Sequence, residues 1–495
     1  MVRLGADARG RAQHAIPAAL LIVAAGLRCS TLGTQSLWTD EGQTVMWLHG
    51  SFAHMLSAVA NNESSPPLYF CLAWLWSKVF GDWIVALRAL SALLGCATVL
   101  VAYYGLRPIW GQRVAAVLGL LAATSAMLVW YSQEARPYAL LLLLCTLSLV
   151  FLARLLVLGD ERSIGWWALA AGLALATHYF AAFLIAPQAA LIIARAPRTR
   201  RVAAAFAGLA VVVAAIVPFA LYQHRLASKA WSAIAATGSL RSRLQAALGR
   251  LLVNGGAGVP HAWWLGYLFV AAAFAVALWR GSAVERRTVA LGAGLAAAVI
   301  ILALIAALAG FDYVLARHLL PAYLPLLGAL AVALGGSRAG RIGLLVAAAG
   351  AVLGVAVTIS VDTSLTYQRE DVRDVARPLA AHAPGRTVII QRSDNYLLRS
   401  HGLPALLYYA PTLRAMPAGA RPVQRLTLIE EGVSPANVIA TISRLRLLGF
   451  KSVTYQARQV FVTYQLRAPS AIALTRGVLA RDARFGSAAP LLLVN

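Results

Sequence analysis

Asp40 and Glu41 stand side by side in Trp38-Thr39-Asp40-Glu41, the first polar stretch after a long apolar run. A carboxylate there can deprotonate an acceptor hydroxyl in the transition state of a group transfer, provided donor and acceptor are held in line. Adjacent side chains in a loop need not face the same way, so Asp40 is the candidate base and Glu41 the residue that orients it or binds a cation. The pair could also give oxygen ligands to a divalent ion. No metal-ligand spacing specifies such a site, and metal dependence stays open. Glu63 follows in Asn61-Asn62-Glu63-Ser64-Ser65-Pro66-Pro67-Leu68-Tyr69. There the paired prolines give an extended entry to the next helix, Ser64 or Ser65 could cap it, and Glu63 is placed to meet substrate hydroxyls.

Three more polar clusters punctuate the apolar chain. In Tyr131-Ser132-Gln133-Glu134-Ala135-Arg136-Pro137-Tyr138, the planar fork of Arg136 suits two phosphate oxygens at once, a Glu134–Arg136 salt bridge being the structural alternative. His178 and Tyr179 end another apolar run. Asp312-Tyr313 and Ala316-Arg317-His318-Leu319-Leu320-Pro321-Ala322-Tyr323 open a late one. Arg317 is a second phosphate candidate, able to stabilise charge developing on a leaving group. Glu63, Glu134, Arg136, His178, Tyr179, Arg317 and His318 are thus the expected substrate-binding set.

The rest of the chain must position these residues, and it reads as membrane-embedded. Of 495 residues, 60% are hydrophobic and 12% charged, with a mean hydropathy of +0.72; a soluble domain carries about 25% charge. The net charge of +25 does not point to nucleic acid. Its arginines fall between hydrophobic segments and in a C-terminal region, with no basic stripe interleaved with aromatics. Cys29, Cys71, Cys96 and Cys145 lack metal or redox spacing and read as small buried hydrophobes.

A basic flank precedes an apolar run from Ala15 to about Gly33, read as a retained signal anchor. Ten further runs centre on 84–106, 114–130, 138–158, 165–180, 181–194, 202–222, 263–279, 288–309, 319–334 and 342–361, about eleven spans in all. The piece from Pro66 to Phe80 is either a short extra span or an interfacial helix rich in aromatics. If it does not cross, the inner loops hold fifteen Lys plus Arg, and the short outer loops only Lys78, Arg136 and Arg317. If it crosses, that positive-inside bias inverts. The eleven-span reading follows, with 35–83 as the first outer loop. It puts Asp40, Glu41, Glu63, Glu134, Arg136, His178, Asp312, Arg317 and His318 on one face. Ionisable groups at membrane depth are costly unless paired or wet, so a shared polar pocket is the expectation.

From Asp362 the chain turns polar. Arg369 to Ala383 has helical spacing, Thr387 to Gln391 reads as a strand, Pro435 to Leu448 as a helix, and Lys451–Gln456 with Val460–Gln465 as a hairpin around Ala457-Arg458. The expected architecture is an α-helical polytopic membrane domain over 1–361 and an extracytoplasmic α/β domain over 362–495.

Taken in order, Trp38-Thr39-Asp40-Glu41, Ser65-Pro66-Pro67-Leu68-Tyr69, Tyr131 to Tyr138, Thr177-His178-Tyr179 and Arg317-His318-Leu319-Leu320-Pro321 resemble the GT-C superfamily of polyprenyl-phosphate-sugar-dependent glycosyltransferases. The closer likeness is to bacterial relatives of protein O-mannosyltransferases and of the lipid A aminoarabinose and galacturonic acid transferases. The resemblance implies inverting transfer of a sugar from a polyprenyl-phosphate donor to an extracytoplasmic glycan, lipid or protein at the bacterial inner membrane. It assigns the base to Asp40 and the donor phosphate to Arg317. Many relatives carry His or Lys where this chain has Ser65. The competing class is a transporter or flippase of a lipid-linked saccharide, which would favour repeated halves with broken helices near the midplane. No repeat is visible, and the polar residues gather at one face.

Overall fold

The computed structural model describes residues 2–226, 238–254, 258–380, 386–390, 402–415, 421–431, 443, 452–458, 461–474 and 491–494. The chain divides into two compact units, residues 1–33 with 47–367 and residues 34–46 with 368–495.

The first unit is helical: α1 (Val2–Cys29), the end of α2 (Thr39–His49), α3 (Phe52–Asn62), α4 (Leu68–Phe80), α5 (Ile84–Thr124), α6 (Ala126–Ser132), α7 (Tyr138–Leu158), α8 (Ser163–Thr177), α9 (Ala182–Arg195), α10 (Arg200–Leu226), α11 (Leu240–Val253), α12 (Ala262–Arg280), α13 (Ala283–Leu308), α14 (Leu320–Gly335) and α15 (Gly340–Thr363). Six of these, α5, α7, α10, α12, α13 and α15, are long and apolar enough to cross a bilayer. The apolar part of α1 from His14, together with α8, α9 and α14, is shorter. Within α5, Gly111 takes φ 80° and ψ 173°, a backbone that glycine adopts at little cost, so two spans run back to back. The second breaks again at Ser125, whose hydroxyl accepts from Leu128 N at 3.3 Å and starts α6.

The helix α4 has 13 residues and reaches about 20 Å, short of a hydrocarbon core of about 30 Å. Trp74 Nε1 donates to Gly50 O and Lys78 Nζ to Leu48 O, while Trp76 Nε1 donates to Ala86 O. These bonds hold it beside the α2–α3 turn and the start of α5. Its N-cap is Pro67, without a side-chain capping bond, which corrects the expectation for Ser64 and Ser65. Both serines precede the proline pair and lie too far back to reach the first free amides of the helix. The 35–83 stretch is not a plain loop either, for it contains three helices.

Junctions gather at two opposite ends of this unit. At one, Arg113 Nη2 donates to Gly340 O, and Glu285 accepts from the backbone N–H groups of Ser282 and Ser337 at 2.7 Å each. The other gathers the turns around residues 63–67, 133–137, 178–181 and 311–318. Between them the helices touch backbone to backbone: a Cβ on Gly354 would lie 2.3 Å from Thr124 O, and one on Gly335 2.7 Å from Val114 Cα. Small residues at such crossings let membrane helices close up. Cys96 and Cys145 are buried as expected; Cys29 is exposed instead, being the last residue of α1.

The second unit carries a six-stranded mixed sheet: β1 (Arg386–Ile390), β2 (Arg414–Ala415), β3 (Arg421–Glu431), β4 (Ser452–Arg458), β5 (Phe461–Leu474) and β6 (Leu491–Val494), in the order β2-β6-β1-β3-β5-β4. β1 and β3 run parallel, with Val388 opposite Thr427, and the other pairs are antiparallel. Two helices accompany the sheet, α16 (Val372–Ala380) and α17 (Gly402–Tyr409). The expected strand at 387–391 and helix near 369–383 are present. The expected hairpin strands are present and paired, with Ala457 and Arg458 as strand residues opposite Val462 and Phe461 rather than in a turn. The helix expected at 435–448 lies outside the described residues, apart from Ser443.

Candidate functional site

Four chain segments converge at one end of the first unit. The turn after α3 brings Glu63, and the turn after α6 brings Arg136. These form a buried ion pair, Arg136 Nη2 to Glu63 Oε2 at 2.7 Å, with side chains only 6% and 9% exposed. The guanidinium also sits 5.7 Å from the centre of the Phe70 ring. The structure therefore pairs Arg136 with the distant Glu63. Buried charges require such partners, because the desolvation cost of a lone one is several kcal/mol.

His178 ends α8 in an extended conformation and opens a 3-10 turn, its Nδ1 accepting from Phe180 N at 3.3 Å. His318 lies in the 3-10 turn before α14, its Nδ1 2.6 Å from Tyr313 O. Phe180 stacks on His318 with ring centres 4.2 Å apart, and His178 lies 6.1 Å from His318. Burial first, then the charges of Arg136 and Arg317, push His178 down to about 3. Burial, Arg317 and His178 hold His318 well below its ordinary value, against the pull of the Tyr313 carbonyl. Both imidazoles are neutral near pH 7.

Around this pair lie Gln223, Arg243 and Arg250, which sequence reasoning did not single out. Tyr179 donates to Gln223 Oε1 at 2.7 Å, and Gln223 Nε2 donates to Val59 O and Ser65 O. The end of α10 is thereby fastened to the Glu63 turn. Arg243 on α11 pairs with Asp312 through both carboxylate oxygens, which lowers the pKa of that acid. Tyr131 lies within electrostatic reach of Glu134, Arg317 and Arg250. The Ser65 hydroxyl is buried and makes no hydrogen bond among the described residues. Glu63, Glu134, Arg136, His178, Tyr179, Arg317 and His318 therefore share one neighbourhood.

A second lattice of polar bonds fixes the frame of this end. Buried Arg28 near the end of α1 donates to Ala122 O, Ala123 O and Ser132 Oγ, at 2.9 to 3.2 Å. The carbonyls it meets are those left open where α5 stops at Thr124, and a cation suits a helix C-terminus. Gln133 Nε2 returns the favour to the end of α1, donating to Leu27 O and Thr31 Oγ1.

Asp40 and Glu41 belong to the second unit. The expected loop is in fact the first turn of α2, where the unpaired amides and dipole favour carboxylates. Both side chains are buried, Asp40 at 9% exposure and Glu41 at 0%. The segment before them is clamped by residues that follow α15. Arg369 Nη1 donates to Gln35 Oε1 at 3.0 Å, Arg373 N to Ser36 Oγ at 3.0 Å, and Thr39 Oγ1 to Glu370 Oε2 at 2.9 Å. Tyr409 of α17 accepts from Leu37 N at 2.8 Å. Burial chiefly, with the Asp40 charge adding to it, raises the Glu370 pKa, while the Thr39 bond works against this. Among the described residues no group of three or more His, Cys, Asp or Glu is placed to hold a metal ion.

Residues 64–222 match the model of the dolichyl-phosphate-mannose-protein mannosyltransferase family. No curated protein matches the chain by sequence. The fold is similar to crystal structures of ArnT from Cupriavidus metallidurans. Against the form bound to undecaprenyl phosphate the TM-score is 0.53 at 15% identity, covering 90% of this chain and 97% of that one. Against the apo form it is again 0.53 at 15% identity, covering 92% and 98%. The family match covers residues 64–222, about a third of the chain, and the structural match, which runs over nearly the whole chain, is one of fold.

Proposed function

We propose that the chain moves one sugar, with inversion, from a polyprenyl-phosphate donor to an acceptor outside the cytoplasm. The observation that carries this reading is the joint presence of Arg136 and Arg317 around buried, neutral His178. Cations set in a dry, preformed end of a helical bundle suit a lipid-borne phosphate, and they stabilise the charge that develops on it as the sugar leaves. The similar ArnT structure carries undecaprenyl phosphate, which supports a polyprenyl carrier here. Asp40 acts as the base that takes the acceptor proton, and Glu41 orients it. The electron pair of the acceptor oxygen forms the new glycosidic bond as the anomeric carbon–phosphate bond breaks, and the phosphate leaves on its lipid. Glu63, Glu134, Tyr179 and His318 complete the substrate contacts. The positive-inside bias supports an orientation with this end of the helices, and residues 368–495, outside a bacterial inner membrane.

The test is turnover of purified protein with a polyprenyl-phosphate-sugar donor. Asp40→Asn is expected to lower kcat by at least about a hundredfold, the scale of a lost general base, while leaving lipid-phosphate binding in place. Arg317→Ala is expected to weaken that binding. Full activity in Asp40→Asn removes Asp40 from the chemistry, and unchanged lipid affinity in Arg317→Ala removes the phosphate role.

A further inference from the structure

The two buried histidines are held in opposite tautomers. At His178, Nδ1 accepts a hydrogen bond from Phe180 N–H, so in the neutral ring the hydrogen sits on Nε2, which can only donate. At His318, Nδ1 faces the Tyr313 carbonyl, which can only accept, so Nδ1 carries the hydrogen and Nε2 presents a lone pair. Neither Nε2 atom makes a hydrogen bond among the described residues, although the residues are only 5% and 7% exposed. Neither Nε2 is among the fully buried polar atoms that lack a partner, so each keeps a small accessible surface through which a ligand can reach it. The rings stand 6.1 Å apart with Phe180 beside both, 5.0 Å from His178 and 4.2 Å from His318.

We infer that His178 and His318 together bind one hydroxyl of an uncharged sugar ring on the donor, His178 Nε2–H donating to the hydroxyl oxygen and His318 Nε2 accepting a hydrogen bond from the hydroxyl. A hydroxyl is a group that donates and accepts at a single atom, which is what a donor and an acceptor on neighbouring rings require. A phosphate at pH 7 offers acceptors only and would leave the His318 lone pair facing an oxygen. An ammonium offers donors only and would leave the His178 N–H unmet. Phe180 and Tyr313, whose rings stand 5.5 Å apart, add an apolar wall for the C–H face of a sugar. This inference rests on the transferase reading and deepens it: the arginines hold the phosphate, and the histidine pair selects the sugar.

The substitution that isolates the two atoms is asparagine. In His178→Asn the amide oxygen takes the place of Nδ1 and keeps the bond from Phe180 N. In His318→Asn the amide nitrogen keeps the bond to Tyr313 O. Each variant deletes only the proposed contact. Binding is measured to the full chain with two probes, polyprenyl phosphate bearing a neutral hexose and sugar-free polyprenyl phosphate, and KM is measured for the first. The expected result is that each variant weakens the sugar-bearing donor about tenfold, as loss of one hydrogen bond plus an unmet partner does, and binds the sugar-free lipid as wild type does. Across a set of singly deoxygenated donors, one should lose the same factor with wild type and nothing further with either variant. Equal loss for both lipids overturns the inference by moving the pair to the phosphate, and no loss for either reduces the pair to a packing role. Wild-type protein that binds neither lipid overturns the transferase reading, and this inference with it.

Discussion

The Arg136–Glu63 pair offers the sharpest energetic test of the site. Its atoms are 2.7 Å apart, and the side chains are 6% and 9% exposed. With charge centres about 4 Å apart and an effective dielectric of about 20, the attraction is about 4 kcal/mol. Desolvation offsets part of this for the pair as a whole, yet removing one partner strands the other, at a cost of about 3–5 kcal/mol. A cycle of Glu63→Gln, Arg136→Gln and the double variant should therefore show each single change strongly destabilising and the double far less than additive. The expected coupling is about 2–4 kcal/mol, read from unfolding of the purified protein in detergent. A buried pair is weakly screened, so the coupling should hold when salt rises from about 0.1 to about 1 M. Coupling below about 1 kcal/mol, or coupling that fades with salt, would mean that the pair is solvated. The guanidinium would then not be preset at a dry site, and the argument for phosphate binding by Arg136 would fall.

Two further outcomes follow from the second unit. A Cβ on Gly42 would lie 2.5 Å from the backbone nitrogen of Ala405 and 2.7 Å from its Cα, so Gly42→Ala must push α2 and α17 apart. Overpacking of this kind costs about 1–3 kcal/mol, more than the roughly 1 kcal/mol that alanine returns in helix propensity, and a melting temperature equal to wild type or higher would refute the close packing. Glu370 has a raised pKa from burial and the neighbouring Asp40, so its favourable state is the protonated one. Its contribution is complete below the unfolded value near 4.5 and is lost as pH rises through the folded value. Glu370→Gln keeps an acceptor for Thr39 and removes the titration, so its melting-temperature advantage over wild type should grow from about pH 5 to about pH 7, and a difference that does not change with pH would refute the assignment.

The membrane part was legible because lipid enforces a simple rule. Backbone groups must be satisfied within each span, so hydropathy alone marks the helices. The break at Gly111 fell between two expected spans, and the 163–177 and 182–195 helices lie within a few residues of the expected 165–180 and 181–194. The helical start at Thr39 was legible too, and was missed. Asp40 and Glu41 in a first turn are a common N-terminal signature, but the same pair suits a polar loop after an apolar run equally well. The partnerships were not legible. Glu63 and Arg136 lie 73 positions apart, Arg243 and Asp312 lie 69 apart, and Thr39 meets Glu370 across most of the chain. No period or spacing encodes such pairs. The same holds for Arg28, which sits inside an apolar run and reads there as a blemish in a span. Only the open carbonyls at the end of α5 explain it.

The charge balance at the site end bears on what it can bind. With both histidines neutral, the charged groups described there are Arg136, Arg243, Arg250 and Arg317 against Glu63, Glu134 and Asp312. Glu63 and Asp312 are committed to Arg136 and Arg243, and Arg250 is exposed. With Arg250 set aside, three arginines face three acids, so the site offers paired cations rather than a positive surplus. On the transferase reading, a lipid phosphate must then compete with Glu63 for Arg136, and the pair that re-forms when the phosphate leaves offsets the cost of releasing it.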